Sequence, residues 1–337
     1  MKRAFSLAVG LTALLAGAAQ AAEVNIYSYR QEVLIRPLLD AFTKETGIKV
    51  NLVSGGDDTL IERLKSEGMN SPADVLLTVD AGRLIRAVEN GSLQPVRSAV
   101  LEAAVPKSFR DPEGRWFGLS MRARPIMYAI DRVKPADLST YGDLADPKWK
   151  GRICVRSSTN IYNQSMLAAL IAHDGVEKTE AWAKGFVANL ARKPQGGDRD
   201  QIKAAAAGEC DIAIANTYYL AGLATSKSAD DKAVASKVQV FWPDQKGRGT
   251  HVNISGAGVT SSSKNKAEAI KLIEFLVSDP AQKIYAEVVN EYPVKPSVPM
   301  SGVVAEWGAF KTDDLDLALL ARHNLDAIKV ADRAGWR

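Results

Sequence analysis

Between residues 23 and 80 the chain alternates strand, helix, strand, helix, strand, and this alternation narrows the possible architectures more than any other feature. Val24-Asn25-Ile26-Tyr27 reads as a strand. The next segment sets Leu34, Leu38 and Phe42 on one helical face and stops at Gly47, a residue suited to the left-handed turn that ends helices. Ile48 to Val53 is a second strand, Asp57-Asp58-Thr59 caps a helix through Lys65 that Gly68 ends, and Ala73 to Val79 is a third apolar run. Parallel strands need crossover connections, so this order predicts a parallel sheet wrapped by helices.

A short amphipathic helix over residues 83–90 follows, then a turn and strand from Gly114 to Leu119. Arg122-Ala123-Arg124-Pro125-Ile126 reads as an extended crossing with both arginines on one side, because they are two residues apart. After a Pro-, Asp- and Gly-rich loop from Asp131 to Lys150, Gly151 to Arg156 opens a second α/β unit. The spacing predicts a helix from Ile161 to Ala172, with Tyr162 in its first, electropositive turn. Helices over Val176 to Arg192 and Arg199 to Ala207 precede a strand after Cys210, and Asn253 to Val259 reads as a strand that crosses back. Two helices, Lys264 to Val277 and Pro280 to Val289, and one more from Thr312 to Ala331 complete the chain.

Lys2 and Arg3 precede an apolar run ending in Ala19-Gln20-Ala21, the pattern of a secretory signal peptide over residues 1–21. The expected mature protein is exported, without membrane insertion. The formal charge of +4 falls to +2 once Lys2 and Arg3 are set aside, and no basic run with interleaved aromatics occurs, so a nucleic-acid partner is excluded. The remaining length exceeds what one core usually supports, which predicts two lobes. Their expected boundaries are 22–123 plus about 251–300, and 124–250 plus about 301–337.

Two cysteines, Cys154 and Cys210, point in an exported chain to a disulfide. Each lies eight residues before a tyrosine, Tyr162 and Tyr218. If the bridge pins two neighbouring strands, equal walks bring both phenols to one sheet edge, where ligands of open α/β sheets bind. Tyr218 and Tyr219 are adjacent, so both reach that edge only if the backbone has left the strand, and the pair is expected in a loop.

Nucleophile-elbow, phosphate-loop, dinucleotide and zinc-protease motifs are absent, which argues against an enzyme. His173, His251 and His323 are dispersed, and Ser54-Gly55-Gly56 reads as a plain turn, with an anion site at the following helix N-terminus as the alternative. Three phenols together suit neither a sugar nor an amino acid. They suit a hard trivalent cation, ferric iron, whose charge three phenolates balance, with a bidentate anion held by Arg122 or Arg124 completing the shell. The alternatives left open are an organic-anion or polyamine binder and, in another class, a periplasmic hydrolase.

The sequence resembles the periplasmic ferric-iron-binding proteins of ABC importers, type II periplasmic binding proteins. The matching stretches are Asn25-Ile26-Tyr27-Ser28-Tyr29-Arg30, Lys44-Glu45-Thr46-Gly47-Ile48, Pro72-Ala73-Asp74-Val75, Arg122-Ala123-Arg124, Asn160-Ile161-Tyr162-Asn163-Gln164-Ser165 and Asn216-Thr217-Tyr218-Tyr219. The resemblance implies an α/β fold of two lobes, each a mixed, mostly parallel sheet flanked by helices, joined by two hinge crossings. It implies Tyr162, Tyr218 and Tyr219 as Fe(III) ligands and carbonate or a similar synergistic anion on Arg122, with Arg124 beside it. It also implies a disulfide, an ABC permease as partner and a monomer in the periplasm. Where other members carry a ligating His, this chain has Gln31-Glu32; Gln31 suits the anion and Glu32 the metal.

Overall fold

The computed structural model describes residues 22–56 and 59–337. The expected signal peptide and the Asp57-Asp58 part of the expected cap lie outside them. Among the described residues ten strands form two sheets: β1 (Glu23–Ser28), β2 (Lys49–Ser54), β3 (Val75–Thr78), β4 (Phe117–Ala123), β5 (Ile126–Ala129), β6 (Ile153–Cys154), β7 (Ile212–Ile214), β8 (Val238–Phe241), β9 (Val252–Val259) and β10 (Tyr292–Pro293). The first sheet runs β10-β4-β9-β3-β1-β2 and the second β6-β7-β5-β8.

The opening alternation folds as expected, with β1 pairing in parallel with both β2 and β3. The Glu32–Thr46 helix between β1 and β2 buries Ile35, Leu38, Leu39 and Phe42 and ends at Gly47 in the left-handed conformation. The sheets are mixed, and among the named strands of the described residues the parallel pairs are β1–β2, β1–β3 and β6–β7. Strands β5 and β9 each follow a crossing, enter their sheets from the opposite end and so pair antiparallel with the strands on both sides, β4 among them. The expected "mostly parallel" pairing therefore holds only in the crossover units.

The chain passes between the sheets at β4–β5 and again between β8 and β9. Apolar cores lie on the faces of the sheets. One packs Ile26, Leu38, Phe42, Leu272 and Tyr285 around the first sheet, and another packs Met127, Ile202, Ala213 and Leu223 against the second. The tail expected as one helix is two, Ala318–Arg322 and Asn324–Arg333, which pack on the Ile161–Asp174 helix. Among the described residues no helix is long and apolar enough to cross a membrane.

The Cys154–Cys210 bridge forms, with Cα atoms 5.9 Å apart. It is not in ladder register: Cys154 lies opposite Ala213, three residues beyond Cys210. The matched eight-residue walks are thus not what aligns the tyrosines. They converge because β6 and β7 are parallel neighbours, and each leads at the same sheet edge into the first turn of a helix.

Candidate functional site

Tyr162 occupies the first turn of the Ile161–Asp174 helix, whose N-cap Asn160 accepts the Tyr162 N–H at 3.0 Å. Tyr218 and Tyr219 also lie in a first helical turn, in Thr217–Ala224, rather than in the expected loop. The helix N-cap is Asn216, whose side chain makes no capping bond. Its Oδ1 instead accepts from Arg124 at 3.0 Å, and its Nδ2 donates to the Tyr218 hydroxyl at 3.3 Å. The Tyr218 hydroxyl donates to that of Tyr162 at 3.1 Å, and the Tyr218 and Tyr219 rings are 4.4 Å apart at their centroids. All three phenols sit at helix N-termini, where the peptide dipoles favour negative charge.

Burial pushes the Tyr218 phenol well above its ordinary value. The neighbouring Tyr162 and Tyr219 push the same way, and Arg122 pulls against them. Tyr219 is likewise raised, by burial first and then by Tyr162 and Asp198, while the Tyr218 hydrogen bond and Arg156 oppose. Without a cation, both phenols keep their protons at neutral pH.

Three guanidiniums surround the Tyr162 ring, with Arg122, Arg124 and Arg156 at 5.7, 5.9 and 5.6 Å from its centroid. Both expected arginines are buried, which excludes a solvated-surface reading of that pair. Their roles differ. Arg124 commits both terminal nitrogens, donating to Asp198 at 2.7 Å, Asn163 at 2.7 Å, Asn216 and the Ile214 carbonyl. Arg122 donates to the Val79 carbonyl and lies 3.5 Å from Asp80, leaving its Nη1 without a partner although buried. Arg122 therefore keeps a terminal nitrogen unpaired, whereas Arg124 has both terminal nitrogens engaged and only its buried Nε unpaired. Beside Arg122, a cavity of about 10 Å³, lined by Asp80, Tyr162, Asn216, His251 and Asn253 as well as the two arginines, has room for a single water.

A larger cleft of about 690 Å³ lies beside Tyr218 and Tyr219, with Arg156 and Arg199 on one wall and Gln31 and Asn290 on the other. Gln31 thus lines the same cleft as Tyr218 and Tyr219. Glu32 does not; it is exposed and paired with Arg36 one helical turn on. Among the described residues no group of three or more His, Cys, Asp or Glu gathers to hold a metal.

Several contributors escaped sequence reasoning. Asp198 pairs with Arg124 and lies 3.5 Å from Arg156; its only signal was the Gly196-Gly197-Asp198 helix start. Arg30 forms a buried pair with Glu291 at 3.0 Å, and Glu291 bears electrostatically on Tyr218. Trp336, fully buried against Phe186 at 4.9 Å, donates through Nε1 to the Arg156 carbonyl at 3.0 Å and accepts from Ser158, clamping the loop before Tyr162. Nothing in the local sequence around residue 336 signals that contact.

Residues 38–312 match the family model described as bacterial extracellular solute-binding protein. Iron uptake protein A1 of Synechocystis is 54% identical over 315 residues, spanning 94% of this chain and 88% of the relative. The major ferric iron-binding protein of Neisseria meningitidis serogroup B is 30% identical over 307 residues, 88% of each chain. Among solved structures, the Trichodesmium protein IdiA (FutA) in complex with iron and citrate ligands superposes with a TM-score of 0.89 at 55% identity, over 94% of this chain and all of that one.

Proposed function

The chain belongs to the bacterial extracellular solute-binding proteins, among their periplasmic ferric-iron-binding members, and from that premise we propose that it captures ferric iron for an ABC importer. Tyr162, Tyr218 and Tyr219 supply three phenolates, and a carbonate-like anion on the free Nη1 of Arg122 occupies further positions. The observation that carries this reading is the convergence of three phenols at two helix N-termini, with Tyr218 and Tyr162 hydroxyls 3.1 Å apart.

The charges agree with it. Three phenolates neutralise a trivalent ion, while around Tyr162 three guanidiniums face two carboxylates, Asp80 and Asp198, and leave one positive charge over. A singly charged anion such as bicarbonate bound at Arg122 balances that excess. Gln31, on the opposite cleft wall, reaches the anion on closure. Glu32 joins the shell only by giving up Arg36. The protein performs no chemistry on its cargo.

Closure is a hinge motion of two lobes, 22–123 with about 251–300 against 124–250 with about 301–337, at the β4–β5 and β8–β9 crossings. The closed monomer, exported by its residues 1–21, presents the loaded state to a permease. Phenolate on ferric iron gives a visible charge-transfer band, so titrating the protein with ferric salt and bicarbonate tests the proposal. A coloured complex is expected, weakened in Tyr218→Phe; a colourless protein would refute it.

A further inference from the structure

Asp80 is wholly buried and does more than cap a helix. Its Oδ1 accepts the Gly82 N–H at 2.9 Å, the bond that starts the Ala81–Glu89 helix. A serine or asparagine would do as much without burying a charge. The same carboxylate accepts Nδ2 of Asn253 on β9 at 2.8 Å and lies 3.5 Å from Arg122 on β4. It also accepts the Ser165 hydroxyl, 3.0 Å from each oxygen.

Ser165 lies three residues after Tyr162 and therefore on the same face of its helix. It is itself buried, and both of its side-chain bonds go to Asp80. One carboxylate thus joins both strands that lead to the crossings, the arginine with an unpaired terminal nitrogen and the helix that carries a phenol. A buried carboxylate is costly unless charge and hydrogen bonds compensate it, and here the compensating groups are themselves parts of the site.

We propose that Asp80 is the positioning residue of the metal site, fixing the Arg122 guanidinium by charge and the Tyr162 helix through Ser165, so that anion and phenolate are set in register. The inference rests on the phenolate reading above. It separates into two halves. Asp80→Asn keeps one acceptor oxygen for Gly82 and Ser165, removes the charge facing Arg122 and gives up the acceptor for Asn253. Ser165→Ala keeps the charge and removes the tie to the helix.

The test measures, for each variant, the bicarbonate concentration that half-develops the ferric charge-transfer band, the position of the band and the rate at which a competing chelator removes the iron, with thermal midpoints alongside. In Asp80→Asn the Arg122 guanidinium loses the charge that fixes it, so the bicarbonate requirement should rise by about tenfold; a lowered requirement would show that Asp80 only attenuates the arginine's charge and would overturn the positioning role. In Ser165→Ala the bicarbonate requirement should hold, while the band shifts and iron is lost about tenfold faster. Wild-type bicarbonate dependence, band and release rate in both variants overturn the inference, as does a release rate that rises only in proportion to lost thermal stability. If Asp80→Asn does not fold, Ser165→Ala decides alone by its band and release rate. A wild-type protein that develops no band overturns the phenolate reading and this inference with it; a wild-type band with indifferent variants overturns this inference only.

Discussion

Loading iron onto phenols that hold their protons must release those protons, and the structure sets how many. Burial and mutual proximity keep Tyr218 and Tyr219 protonated at neutral pH, and the Tyr218 hydroxyl donates to Tyr162. Each phenol that becomes a ligand leaves one proton behind, so with the anion bound as bicarbonate, binding by all three should strengthen by three powers of ten per pH unit. At about 1.4 kcal/mol per proton, this is about 4 kcal/mol, or roughly a thousandfold, per unit. Acid therefore unloads the protein and alkali tightens it. Competition against a chelator of known proton uptake, between pH 6 and 8, gives the slope of log affinity against pH. We expect a slope near three, falling to near two in Tyr219→Phe. A slope of one or less in the native protein would refute ligation by three phenolates.

Three further outcomes follow from the framework. Asp198→Ala strands the buried Arg124 without its counter-charge and should cost about 3–5 kcal/mol in urea unfolding; a loss below about 1 kcal/mol would contradict the assigned pair. Replacing both Cys154 and Cys210 by Ser opens a link across 56 residues and should lower stability by about 4 kcal/mol, with the variant then indifferent to reductant. His251 is held neutral, its imidazole pushed down to about 3 by burial and by Arg124, Arg122 and His173. The unfolded chain takes up that proton below about 6.5 and the folded chain only near 3, so stability is lost as pH falls through this window, by up to about 1.4 kcal/mol per unit. His251→Leu should flatten that part of the unfolding profile.

Where local pattern decides, the sequence was a good guide. The β1–β3 alternation, the Gly47 stop and Tyr162 in a capped first turn all follow from periodicity and from Asn160. Tyr218 and Tyr219 were misplaced into a loop because their helix is buried at Thr217, Tyr218, Leu220, Ala221 and Leu223, which erases the amphipathic signal, and because the Asn216 cap spends its side chain elsewhere. Strand β10 is two residues long and pairs antiparallel with a strand some 170 residues earlier, so neither its length nor its neighbours announce it. The split between Arg122 and Arg124 was equally hidden. Two arginines on one side of a strand look alike until Asp198 and Asn163, supplied by distant helices, claim one of them.

The clamp on the loop before Tyr162 also sets an order of events in the making of the protein. Trp336 meets Arg156 and Ser158 across 180 and 178 residues of chain. Residues leave the ribosome in sequence, so the strand, the loop and the first tyrosine exist long before the indole that fastens them. Contacts of such separation form late and slow folding. The loop reaches its final seat only after residue 336 has arrived, and the finished tyrosine cluster is a property of the whole chain, not of the segment that carries it.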